Sequence, residues 1–165
     1  MEKFGKSIAI VTGASAGIGK HLCNRLVTDA PDLTVIGLAR RPTEMQNKNY
    51  FGMTCDVSKA SEIEKTIDEI SRKFPDKNIS ILVNNAGHAK PVPLLNHEKL
   101  NDSGTHQPQK LEEASEILGS MLNTNVLGLT LMTRKVILFK EVFNHTSKLR
   151  TLIFEVITFL RFQYF

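Results

Sequence analysis

The chain has 165 residues, one domain's worth of polypeptide. Apolar residues make up 41% and charged residues 23%, a balance that excludes a disordered chain. The formal charge is +4, but basic and acidic residues are interspersed, so no tract reads as a nucleic-acid footprint.

The opening Met-Glu-Lys-Phe-Gly-Lys carries no long apolar run, so no signal peptide and a cytoplasmic location are expected. Ser7 to Thr12 is a β-branched apolar run that ends in a glycine cluster. Ile18, Leu22 and Leu26 then recur every four residues, which predicts a helix broken at Pro31-Asp32. Leu33 to Ala39 and Phe51 to Cys55 are further apolar runs. From Ser58 to Phe74 the helical period returns, with Ile63, Ile67, Ile70 and Phe74 on one face. Ile79 to Val83 is a fourth run. Short runs apolar on both sides, alternating with helices, predict an α/β fold with a parallel sheet covered on both faces.

His88 to Lys110 holds Pro91, Pro93, Gly104 and Pro108 among polar residues and reads as a long surface loop. From Leu111 to about Val142 the period is helical again, through Leu111, Ala114, Leu118, Leu122, Val126 and Leu129. Residues 1–142 are therefore read as one nucleotide-binding unit and 143–165 as an atypical apolar tail. No stretch is a membrane span; the most apolar, Leu149 to Phe165, contains Arg150, Glu155 and Arg161. Cys23 and Cys55 sit among apolar neighbours and are expected to be buried, reduced thiols. The five histidines do not combine with cysteines or acids at metal-ligand spacing, so no metal site is expected.

The sharpest motif is Thr12-Gly13-Ala14-Ser15-Ala16-Gly17-Ile18-Gly19, between a strand and a helix. Small residues permit a tight turn and close approach of backbone to a pyrophosphate. The helix that follows offers unpaired N–H groups and the positive end of its dipole. The spacing is G-x-x-x-G-x-G, which differs from G-x-G-x-x-G. It is not a P-loop either, because Ala14 and His21 stand where that motif needs Gly and Ser or Thr. No acid lies between Leu33 and Thr43, where NAD-binding units place one for the ribose 2′-hydroxyl. Arg40 stands at this strand end and points to NADP(H) in preference to NAD(H), through the 2′-phosphate.

Thr12–Gly19 together with Asn84-Asn85-Ala86-Gly87 resembles the short-chain dehydrogenase/reductase family, over roughly Lys6 to Glu141. Cys55-Asp56-Val57 resembles that family's adenine-contacting Asp segment. Asn123-Thr124-Asn125-Val126-Leu127-Gly128 resembles its central-helix motif. Leu94-Leu95 after that Asn-Asn-Ala-Gly and the run from Thr124 to Arg134 are most similar to invertebrate farnesol dehydrogenase-type members. The resemblance implies a doubly wound, Rossmann-like sheet, with NADP(H) across the strand ends and hydride exchange with a small-molecule alcohol or carbonyl. It implies Gly13, Ser15, Ile18 and Gly19 around the phosphates and Arg40 at the 2′-phosphate. It places Asp56 and Val57 at the adenine, and Asn84, Ala86 and Gly87 along the ribose and nicotinamide. Asn125 takes the place of the catalytic Asn, and Asn85 is expected to hold the sheet.

The family's proton donor is a Tyr with a Lys four residues later. Tyr50 is followed by Thr54, and Tyr164 has no residue 168 after it. The family Ser has no counterpart. The chain therefore reads as a truncated member that lacks the C-terminal half of the sheet. Its own turnover is not expected; the alternative is a non-catalytic nucleotide-binding or partner-binding module. In the tail, Leu149, Leu152, Ile153, Val156, Ile157 and Leu160 fit a helical stripe, while the β-branched and aromatic content fits a strand. Three readings stay open there: an end unrelated to the family, a replacement for the fifth strand, or a helix for a membrane surface or partner. An uncovered fourth strand is expected to self-associate through its edge.

Overall fold

The runs that are apolar on both sides become strands of one parallel sheet. The computed structural model describes residues 4–41, 43–90, 99–100, 106–107, 111–142 and 150–152. The chain forms β1 (Ser7–Thr12), α1 (Gly17–Asp29), β2 (Thr34–Ala39), β3 (Tyr50–Thr54), α2 (Ala60–Lys73) and β4 (Asn78–Val83). A short pair, β5 (Lys99–Leu100) and β6 (His106–Gln107), precedes α3 (Leu111–Leu122). A π-helical segment (Asn123–Gly128), α4 (Leu129–Val142) and β7 (Arg150–Leu152) complete the order. The sheet runs β3-β2-β1-β4-β7, and every pairing in it is parallel. The chain steps outward from β1 to β3 and returns on the other side of β1 as β4. This is part of a doubly wound α/β sheet, with its switch point between β1 and β4.

Alternation along the strands divides the core into two layers. Ile8, Ile10, Ile36, Leu38, Ile79 and Leu82 face α2 and α4, where Ile63, Ile67, Ile70, Met132 and Val136 are buried. Ala9, Val11, Val35 and Val83 face α1, where Cys23 and Val27 are buried with Tyr50. The registry of β4 on β1 shifts by one residue: Ile8 pairs with Ile79 and Ala9 with Ile81, leaving Ser80 as a bulge. α2 has Glu62 in its first turn and Arg72 and Lys73 in its last, matching the helix dipole.

Two sequence expectations are corrected, and one open question is partly answered. Within the 88–110 stretch read as loop, Lys99–Leu100 and His106–Gln107 pair as antiparallel strands; its prolines and Gly104 lie outside the described residues. The helix expected from Leu111 is interrupted by the π segment, and α3 buries none of its residues. The core contacts come later, from Met132 and Val136. In the tail, where helix and strand were both open, Arg150–Leu152 is strand and pairs with Ile81–Val83 of β4. The edge of β4 over those residues is therefore covered, and the rest of the tail stripe lies outside the described residues.

Ile10 is fully buried at the centre of the sheet. Ile10→Ala is expected to lower stability by about 2–5 kcal/mol, read as a lower urea midpoint. Burial pushes Cys23 from its ordinary 9.0 up to about 12, and burial, with the nearby Cys23, pushes Tyr50 from 10.0 to about 12. Stability from keeping these groups neutral is complete below about pH 9 and is lost as pH climbs toward 12. Both thiols are expected to react with a disulfide reagent in urea and to resist it in the native protein, measured by absorbance.

Candidate functional site: a dinucleotide cradle at the strand ends

Because β1 to β4 are parallel, their carboxyl ends meet at one edge of the sheet, and the sequence-selected residues cluster there. The glycine loop leaves β1 and enters α1 through Ala16, whose cap position has no side-chain hydrogen bond; no acid sits in the first turn. The first N–H groups of α1 are therefore uncapped by side chains and lie at the positive end of the helix. Ser15, Ala16 and Gly17 are exposed, and Ile18 is 71% exposed. Gly17 has φ 54°, and no atom lies within 4 Å of where a Cβ would stand, so the loop is open on that side. Gly19 is buried: a Cβ there would run into the Gly13 carbonyl and come within 2.5 Å of Asn85 Nδ2.

The loop is fastened from beneath by β4. Thr12 Oγ1 accepts the N–H groups of Asn85 at 3.0 Å and Ala86 at 2.9 Å. Asn85 Nδ2 donates to the Thr12 carbonyl at 2.9 Å and the Gly13 carbonyl at 3.3 Å. These bonds cross the switch point and fix the glycine turn against Asn84–Gly87. The sequence reading gave Asn85 a structural role; the part played by Thr12 was missed, although its place at the strand end before Gly13 was the signal.

Arg40 is exposed at the end of β2, and Asp56 lies half-buried beyond β3. Asp56 Oδ1 accepts the Ser58 N–H at 3.0 Å and the Ser58 hydroxyl at 2.7 Å. Partial burial raises the Asp56 pKa, but the two bonds from Ser58 and the charges of Lys59 and Arg40 outweigh it and hold the carboxyl below its ordinary value. Val57 is buried beside it. Asn84 is 4% exposed, and its Nδ2 donates to Thr133 Oγ1 of α4 at 2.9 Å. Its side chain therefore faces the helix layer, while Ala86 is half-buried and Gly87 is exposed at the edge.

Asn125 lies in the π segment, a helix irregularity frequent at functional sites. Its Oδ1 accepts the His88 N–H at 3.0 Å and its Nδ2 donates to the His88 carbonyl at 2.8 Å. The His88 Nε2 lies 3.2 Å from Ser120 Oγ. Asn125 thus clamps the backbone that follows Gly87 to the central helix. His88 opens the 88–110 stretch read as a surface loop, and nothing in that reading pointed to this clamp. Among the described residues, no cluster of His, Cys, Asp and Glu suits a metal, and no helix is long and apolar enough to cross a membrane.

Comparison with known proteins agrees with this geometry. Residues 7–141 match the family model of the short chain dehydrogenases. The chain is 32% identical over 145 residues to farnesol dehydrogenase of Aedes aegypti, covering 82% of this chain and 51% of that protein. Among solved structures, a 3-ketoacyl-(acyl-carrier-protein) reductase of Brucella melitensis complexed with NADH is similar at 26% identity and TM-score 0.65, over 91% of this chain and 56% of that one. A short-chain dehydrogenase of Streptomyces avermitilis shares the fold at TM-score 0.65 and 21% identity, over 90% of this chain and 48% of that one. The chain belongs to the short-chain dehydrogenase/reductase family of oxidoreductases, whose members use nicotinamide cofactors. It spans about half the length of the curated relatives it matches.

Replacing Thr12 with Val leaves the Ala86 N–H without its acceptor and the Asn85 N–H with the Val83 carbonyl at 3.2 Å alone. Thr12→Val is expected to cost about 1–3 kcal/mol in urea denaturation, and Thr12→Ser, which keeps the oxygen, to cost less.

Proposed function

We propose that residues 1–142 form the NADP(H)-binding unit of a cytoplasmic short-chain oxidoreductase that acts on a small alcohol or carbonyl compound. The observation that carries this reading is the uncapped start of α1 facing an open glycine turn, with Arg40 on the neighbouring strand end and no acid between Leu33 and Thr43. In this reading Gly13, Ser15, Ile18 and Gly19 surround the pyrophosphate, with backbone N–H groups as donors. Arg40 binds the 2′-phosphate with a charge-assisted bond. The free oxygen of Asp56 and the Val57 backbone flank the adenine. Asn84 acts through its backbone, because its side chain is committed to Thr133, and Ala86 and Gly87 line the ribose and nicotinamide path. When bound, the cofactor supplies or accepts a hydride.

Proton transfer needs a positioned acid. Asn125 spends both amide atoms on His88, so in this reading it positions the backbone beside the nicotinamide path. The second reading is a non-catalytic nucleotide-binding or partner-binding module. Its contact would be the sheet edge, now carried by β7, pairing with another chain.

Calorimetric titration is expected to give saturable NADPH binding, weaker for NADH, with no NADPH oxidation on a panel of carbonyl compounds. Arg40→Asp is expected to weaken NADPH about 10- to 100-fold, a loss of about 1.5–3 kcal/mol, and to leave NADH within a few-fold. Equal loss for both cofactors would count against the 2′-phosphate assignment, and the absence of any binding would remove the cradle reading.

A further inference from the structure

Tyr50 begins β3, the outer strand of the sheet, yet its side chain is 6% exposed and reaches over the neighbouring strand. It pairs with Val35 of β2, and Gly37 lies two residues further toward the carboxyl end, on the same face. A Cβ on Gly37 would collide with the Tyr50 hydroxyl and would stand 2.9 Å from Tyr50 Cζ and 2.8 Å from the Ala14 methyl. The ring therefore leans into a notch that only glycine leaves in β2, and its tip shares that notch with Ala14 of the glycine turn. Cys23 of α1 is buried in the same cluster, near enough for its charge to bear on the phenol. The tip of one side chain thus lies among β2, the glycine turn and α1.

We propose that Tyr50 is a positioning residue of the dinucleotide cradle, its ring acting as a wedge that holds the glycine turn in place over β2. The proposal rests on the reading of that turn as the pyrophosphate site. The turn has a hydrogen-bond anchor on each side of β1. Thr12 and Asn85 tie it to β4, and on the other side the Ala14 N–H donates to the Leu38 carbonyl at 3.2 Å. This second bond is at the long end of the normal range, and Ala14 has only a methyl group with which to pack. The Tyr50 ring supplies the packing that the turn lacks. Leu38 stands two residues before Arg40, so the wedge also fixes the turn relative to the strand end that carries Arg40.

The ring, not the hydroxyl, is the working part. The hydroxyl is buried with no hydrogen-bond partner among the described residues, a cost that phenylalanine would avoid. The pyrophosphate is common to NADPH and NADH, so loss of the wedge loosens both alike, in contrast to loss of Arg40.

The test is calorimetric titration of the full chain with NADPH and with NADH. Tyr50→Val keeps a β-branched strand residue but is too short to fill the notch. It is expected to weaken both dinucleotides by about tenfold, through lost preorganisation of the turn. Tyr50→Phe keeps the ring and is expected to bind both within about twofold of the unaltered chain. Val27→Ala removes packing from the same layer, in the last turns of α1, and is expected to leave both affinities unchanged. Without cofactor, the Ala14 amide is expected to exchange about tenfold faster in Tyr50→Val and at the unaltered rate in Val27→Ala, followed by NMR. Unchanged affinity or unchanged Ala14 exchange in Tyr50→Val would overturn the wedge and leave the cradle standing. An equal loss of affinity in Tyr50→Phe or in Val27→Ala would do the same. An unaltered chain that binds neither dinucleotide would overturn the cradle reading and the proposal with it.

Discussion

The hydroxyl of Thr12 is the pivot of the described structure. It receives two backbone N–H groups from the strand that returns on the far side of β1, while Asn85 reaches back to the carbonyls of Thr12 and Gly13. Two segments more than 70 residues apart in sequence are thereby joined at the one point where a doubly wound sheet opens a crevice. The glycine turn, the exposed start of α1 and the backbone path through Ala86 and Gly87 all take their positions from these bonds. A cradle of small residues has little side-chain packing to hold it, so its rigidity must come from below.

The parts of the fold that were legible in the sequence are those where local pattern and tertiary burial agree. Ser7 to Thr12 is apolar and β-branched, becomes a strand over those same residues, and is buried almost throughout. Ile63, Ile67 and Ile70 repeat at helical spacing and face the sheet. The central helix is a different case. Leu111, Leu118 and Leu122 have the period of a core stripe, yet the buried contacts begin at Gly128 and Met132. Periodicity says which side of a helix is apolar, not what lies opposite it. The short β5–β6 pair escaped because two-residue strands have no pattern to read.

The candidate site followed the same rule. The glycine loop stood out because small residues between a strand and a helix leave a mark in the sequence, whereas Arg40 was proposed from its strand-end position and Asp56 from the family resemblance. The clamp between Asn125 and the His88 backbone was not legible, because one of its two partners is main chain and leaves no mark on residue identity. The commitment of Asn84 to Thr133 likewise joins residues 49 apart, with no local signal for either. The tail was ambiguous between helix and strand, and three of its residues became strand because β4 offered unpaired backbone groups.

The bulge at Ser80 decides which layer each later residue of β4 addresses. Below it, Ile79 belongs to the α2 and α4 layer; above it, Ile81 and Val83 point to α1, and Leu82 and Asn84 to the α4 side. With a strict two-residue alternation from Ile79, the parity would be reversed, and the Asn84 amide would be thrust among Cys23 and Val27, away from the Thr133 hydroxyl. A single supernumerary serine thus acts as a phase shifter, converting a hydrophobic ribbon into a platform whose polar tip meets a polar neighbour.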